Sequence, residues 1–119
     1  EKLVCMEDDM GSGCLFCRIA NKEMDAEFLM ETDDLVVFRD INPVAPLHLL
    51  LVPKRHIRSV NDLTEEDRPV LSALIFAARD MAAQMGVAEK GYRLFFNVEK
   101  GGGQEIFHLH MHMIGGWKK

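Results

Sequence analysis

In Phe107-His108-Leu109-His110-Met111-His112-Met113, apolar and imidazole side chains alternate without a break. Successive side chains of a β-strand point to opposite faces, so the stretch predicts a strand over about Ile106 to Ile114. His108, His110 and His112 share one face of it, and the apolar residues form the other. Three of the chain's five histidines fall within five residues. On a merely solvated face Lys, Glu or Thr would serve equally well, so the pattern points to function rather than to chance polarity.

The rest of the chain supplies partners for this strand. A short helix is expected from Cys14 to Ala20, followed by strands over about Glu27 to Thr32 and Leu35 to Arg39, with Asp33-Asp34 as the turn between them. Two prolines and an Asn keep Asp40 to Pro46 irregular, which makes that loop a site candidate. His48 to Val52 reads as a largely buried strand closed by Pro53. Leu71, Leu74, Ile75, Ala78, Met81, Ala82 and Met85 recur at spacings of three and four and predict one long helix. Thr64 is its cap and Gly86 its stop, and Pro69 imposes an irregular first turn at Glu65 to Arg68. A strand over Tyr92 to Asn97 precedes the glycines Gly101 to Gly103. The order of elements gives an α+β domain with one mainly antiparallel sheet.

Composition narrows the class. With 119 residues, 48% hydrophobic and 28% charged, the chain suits one ordinary globular domain. It divides into an N-terminal arm, residues 1–13, with no assigned function, and a folded domain, residues 14–119. The formal charge of -5 argues against a nucleic-acid surface, which needs clustered Lys and Arg. Only Lys54, Arg55, His56 and Arg58 are locally basic. The longest apolar runs, Leu49 to Val52 and Ala73 to Ala78, fall far short of the roughly 20 residues that span a bilayer. Three cysteines without a recognisable signal peptide read as reduced thiols or metal ligands, which implies the cytoplasm. Cys5 reads as a free thiol.

Three aligned imidazoles suit either a metal or a nucleophilic imidazole whose neighbours position an anion. Gly101-Gly102-Gly103 bears on the choice, because glycines let backbone N–H groups approach and cradle phosphate oxygens. Beside a row of histidines, the loop points to a phosphate.

The string from Asn97 to Gly116, with GGGQEIFHLHMHMIGG at its centre, resembles the signature of the histidine-triad (HIT) family, in its Hint branch of purine nucleoside phosphoramidases. Phe38-Arg39-Asp40-Ile41-Asn42-Pro43, Ala45-Pro46-Leu47-His48 and Pro53-Lys54-Arg55-His56-Ile57 fit the same resemblance, which runs from about Cys14 to Gly116. It implies a HIT-like fold with a five-stranded sheet, one long and one short helix, and a two-fold homodimer built on the Leu71 to Met85 helix and the Tyr92 to Asn97 strand.

The resemblance also implies roles. His110 is the nucleophile and forms a covalent nucleotidyl intermediate that water hydrolyses. His112 contacts the phosphate, and His48 and His108 complete the histidine cluster. Asn97, Gly103, Gln104 and Glu105 lie toward the phosphate and leaving group. Asp40 accepts from the ribose hydroxyls, and Leu15, Phe16, Ile19, Phe38, Ile41 and Leu50 wall the base pocket. The substrate implied is a purine nucleoside 5′-phosphoramidate or acyl-nucleotide, with no organic cofactor. The competing readings are a dinucleoside polyphosphate hydrolase of the same family and a non-enzymatic nucleotide-binding module. Met113-Ile114-Gly115-Gly116-Trp117 favours the phosphoramidase, since polyphosphate hydrolases usually carry a proline and an arginine there.

Cys14-Leu15-Phe16-Cys17 has zinc-ligand spacing, and a closed tetrahedral site needs two further ligands. His56 and His108 are the candidates, and the resemblance implies the same four. A redox pair and two metal-free buried thiols are the alternatives. The expectation is a structural zinc.

Overall fold

Side chains that alternate in direction along the strands sort the sheet residues into two sets, one for each buried face. The computed structural model describes residues 14–118, so the N-terminal arm and the Cys5 thiol lie outside the described residues. Strands β1 (Met30–Glu31), β2 (Leu35–Arg39), β3 (Leu47–Pro53), β4 (Tyr92–Phe95) and β5 (Met111–Gly115) form one sheet in the order β1-β2-β3-β5-β4. Every pairing is antiparallel. The turn at Asp33-Asp34 is fixed by Thr32, whose Oγ1 accepts from the N–H groups of Asp34 and Leu35 at 3.1 and 3.2 Å, a use of a short hydroxyl side chain typical of turns.

Helices cover both faces. On one, Leu35, Val37, Leu49, Leu51, Met111 and Met113 meet Leu74, Ala77, Ala78, Met81 and Ala82 of the long helix, Arg68–Gln84. On the other, Val36, Phe38, Leu50 and Val52 pack with Phe16, Cys17 and Ala20 of the short helix α1, Leu15–Ala20. The long helix, α2, starts as Pro69 requires: a 3₁₀ turn at Glu65–Asp67 precedes it, and the Thr64 N–H donates to Asp67 Oδ2 at 2.9 Å. Gly86, at φ 76°, ends it in the left-handed conformation that glycine adopts without strain.

Three expectations are corrected. The first strand is only Met30–Glu31, because β2 runs past residues 27–29 with a single further ladder bond, Leu29 N–H to Val37 O. The last strand begins at Met111 rather than Ile106. Its pairing with β3 stops at Leu51 and Met111, and the Leu109 N–H bonds Ile57 O at 2.6 Å instead. Ile75 does not join the buried stripe of α2: it is 50% exposed, next to Phe76 at 55%. Among the described residues no helix is long and apolar enough to cross a membrane.

Candidate active site and metal centre

Register brings the histidines together. Leu50 pairs with His112 and His48 with Ile114 across β3 and β5, and directly opposed residues point to the same face. That face is the one covered by α1, away from α2. His48 and His112 are therefore diagonal neighbours, with His48 Nε2 2.9 Å from His112 Nδ1. On the other flank Phe95, paired with His112, stacks on its ring at 4.6 Å between centroids.

The ring protons follow from fixed partners. His110 Nδ1 lies 2.7 Å from the carbonyl oxygen of His108. A carbonyl only accepts, so Nδ1 carries the proton and Nε2 of the neutral ring keeps its lone pair. Burial pushes the His110 pKa below the ordinary imidazole value, against the opposing pull of that backbone bond. The edge of Phe16 meets the ring at 4.9 Å.

The second relay is set in the same way. The Val44 N–H donates to His48 Nδ1 at 3.1 Å, which leaves the His48 proton on Nε2, directed at His112 Nδ1. His112 then carries its own proton on Nε2. That nitrogen is buried and has no hydrogen-bond partner among the described residues, and a buried unpaired donor is costly unless something arrives to accept from it. Burial, followed by the neighbouring His110 and His48 rings, brings the His112 pKa down to about 4. Asp40 Oδ2 sits 3.4 Å from His48 Nε2.

A cleft of about 640 Å³ opens over these groups. Leu15, Phe16, Ile19, Phe38 and Leu50 give it apolar walls, and His48, His110, His112, Gly103 and Glu105 line its polar part. Its charged lining is Asp25, Glu27, Asp40 and Glu105 against a single Arg39.

Behind the cleft, His108 turns to a different task. Its Nε2 donates to Pro53 O at 2.7 Å, leaving Nδ1 as the free lone pair, 3.2 Å from Cys14 Sγ and 3.3 Å from Cys17 Sγ. His56 Nδ1 lies 3.3 Å from Cys17 Sγ, and one donor atom from each of the four residues falls within 4.8 Å of the others. Burial drives His108 to about 3, so its ring is in the neutral form that binds metal. Cys14 caps α1, its Sγ accepting from the Cys17 N–H at 3.3 Å. Two sulfurs and two imidazoles, one oriented by a backbone carbonyl, fit a tetrahedral zinc and its supporting contacts.

Comparison with known proteins agrees with this constellation. The sequence family described as "Scavenger mRNA decapping enzyme C-term binding" matches residues 13–118. The chain is 44% identical to Protein HitA of Neisseria gonorrhoeae, over 86% of this chain and 94% of that protein. It is 40% identical to the purine nucleoside phosphoramidase of Escherichia coli K12, over 90% of each chain. A solved structure described as a HIT family hydrolase, from Legionella pneumophila Philadelphia 1, superposes with a TM-score of 0.86 at 46% identity, covering 88% of this chain and 94% of that one. The chain belongs to the HIT family.

Against the HIT expectations, the cleft gathers Leu15, Phe16, Ile19, Phe38, Asp40, Ile41, Leu50, Gly103 and Glu105 with His48, His110 and His112. Two residues expected toward the phosphate, Gln104 and Asn97, are not among those lining the cleft. The Gln104 side chain is buried against backbone, donating to Arg58 O and Ile106 O at 2.9 and 3.0 Å. The Asn97 side chain adjoins cleft-lining Gly103, where an added Cβ would meet its Cγ at 3.8 Å. His108 joins the cysteine cluster rather than the cleft. Asp25, Ala26, Glu27 and Leu29 also line the cleft and were missed, because Glu27 and Leu29 read as strand and Asp25 and Ala26 carried no motif. The non-helical, non-strand stretch Glu23-Met24-Asp25-Ala26 was the signal available.

Proposed function

We propose that this HIT protein hydrolyses purine nucleoside 5′-phosphoramidates, and the related acyl-nucleotides, through a covalent nucleotidyl-His110 intermediate. The observation that carries the reading is the bond from His110 Nδ1 to the carbonyl of His108 at 2.7 Å, which leaves a lone pair on Nε2 for attack on phosphorus. The Nε2–P bond forms as the P–N bond breaks, and the departing nitrogen takes a proton. Water then attacks the nucleotidyl-imidazole and releases the nucleoside monophosphate and free His110. The unpartnered N–H of His112 supplies a donor for the charge that grows on the phosphoryl oxygens. The apolar walls suit a purine face, and Asp40 suits ribose hydroxyls. Rapid quench followed by intact mass measurement tests the intermediate: His110 should carry the mass of the nucleotidyl group during turnover.

Leaving-group chemistry sets the substrate preference. An amine departs only if protonated, and Glu105 at the cleft and the His48-His112 relay are the groups that can deliver the proton. A polyphosphate brings extra negative charge instead and would require Arg or Lys to seat it. Four carboxylates and one arginine line the cleft, which disfavours that occupant. Adenosine or guanosine phosphoramidates should therefore show kcat/KM values at least about tenfold above those of diadenosine polyphosphates. Equal or reversed preference in steady-state kinetics would move the protein to the dinucleoside polyphosphate class.

The same reading includes a structural zinc on Cys14, Cys17, His56 and His108, a cytoplasmic setting, and a homodimer. Support for the dimer comes from exposed Ile75 and Phe76 on α2 and from β4 at the edge of the sheet. An unpaired strand edge and an apolar helix face invite a self-complementary contact. Light scattering at micromolar concentration should give twice the chain mass, and Phe76→Arg should give the monomer. A monomeric wild type rules the contact out.

A further inference from the structure

The glycine turn beside the cleft is held by groups that the proposed chemistry does not use. Glu99 has φ 63°, one of only two non-glycine residues with positive φ among the described residues, a conformation that costs free energy unless contacts hold it. The contacts are numerous. Arg58 Nη1 and Nη2 donate to its two carboxylate oxygens at 2.7 and 2.9 Å. Ser59 Oγ donates at 2.7 Å and Asn61 Nδ2 at 3.3 Å. Arg58 and Ser59 hold the carboxyl at about 2, ionised throughout the physiological range.

Buried Gln104 closes the other end of the turn. Its Oε1 accepts from the Glu99 N–H at 2.8 Å, while its Nε2 donates to the carbonyls of Arg58 and Ile106 at 2.9 and 3.0 Å. The N–H groups of Gly102 and Gln104 both reach Glu99 O at 3.0 Å. Gly101, Gly102 and Gly103 between these two residues have the largest conformational freedom of any residue type, so the order of this turn comes from these backbone bonds together with the side chains that flank it. What the turn delivers to the cleft is Gly103, Glu105 and Ile106, facing His110 and His112.

We propose that Glu99 and Gln104, anchored on Arg58, are positioning residues that fix the phosphate side of the cleft. They touch neither nucleoside nor phosphate and act only through the placement of Gly103 and Glu105. The proposal rests on the nucleotide reading of the cleft, and it predicts a split that a general packing role would not produce: phosphate recognition suffers while nucleoside recognition does not.

Two variants test it. Glu99→Gly removes the clamp but tolerates the positive φ, so the backbone conformation is not itself penalised. Gln104→Glu keeps the shape but turns an acceptor toward two carbonyls. Each is compared with wild type for AMP and adenosine affinity by calorimetry, for kcat and KM on a phosphoramidate, and for thermal melting. For Glu99→Gly the expected result is AMP affinity and kcat lower by about tenfold to 100-fold, the size of effect that small misplacements produce, with adenosine affinity within about twofold. A control beside these two, Glu99→Gln, which keeps part of the hydrogen bonding, should fall between Glu99→Gly and wild type. Equal loss of AMP and adenosine affinity would mean a merely structural role and overturn the proposal, as would unchanged AMP affinity and kcat in both variants. If wild type itself binds adenosine and AMP equally weakly, the nucleotide reading fails first and the positioning role with it.

Discussion

His110→Ala lowers kcat by at least about 10⁴-fold and leaves AMP affinity within about tenfold, the outcome expected when a nucleophile is lost and the binding walls remain. The expectation follows from the position of the ring. Nδ1 is committed to a carbonyl, and the neighbouring His112 offers no lone pair for attack, because its Nδ1 is already engaged by His48. A truncated ring leaves the apolar walls of Phe38 and Leu50 and the Asp40 carboxylate in place. Stopped turnover with retained AMP binding also separates an enzyme from a pure nucleotide-binding module. Near-native turnover in this variant would sink the mechanism.

The second large effect concerns the cluster behind the cleft. Protein purified without chelator should contain about one zinc per chain, and the paired change Cys14→Ser with Cys17→Ser should abolish it, since thiolates are the tightest ligands of the set. Loss of metal should also lower the melting temperature by at least about 10 °C, which for a domain of this size corresponds to a few kcal/mol. The cluster ties the cap of α1 to the segment just before β5, so its loss frees both. The activity should fall as well, because the carbonyl of His108 orients His110. Metal analysis that finds no zinc in wild type removes the claim, and an unchanged melting temperature in the paired variant removes its structural role.

The parts of this fold legible in the sequence were those carried by local rules. Residues Leu74, Ala78, Met81 and Ala82 announced the buried face of α2 by their spacing, and Pro69 announced its irregular start. Residues Met111 to Met113 announced a strand. What local rules missed was set by partners. His108 and His110 keep the alternation but lie outside the ladder, whose β3–β5 pairing stops at Leu51 and Met111, and the Leu109 N–H bonds Ile57 O instead. Ile75 fits the helical period yet faces outward, since periodicity marks an apolar stripe wider than the sheet can cover. The inward turn of Gln104 depends on the carbonyls of Arg58 and Ile106, one of them far away in sequence, and no spacing rule could supply it. The four zinc candidates and the histidines of the cleft came from residue type and resemblance together. The chain itself brings the members of each set within reach of one another.

The proton on the His110 ring is assigned by the main chain. Most catalytic imidazoles owe their tautomer to a carboxylate or another side chain, which a single substitution can remove. Here the partner is the carbonyl of a residue two positions earlier, and every amino acid has one. Mutation can therefore rework the rim of the cleft, where Ile41 is 90% and Val44 71% exposed, without changing the tautomer of His110. Descendants of this chain are free to reshape the cleft while inheriting the same lone pair on His110 Nε2.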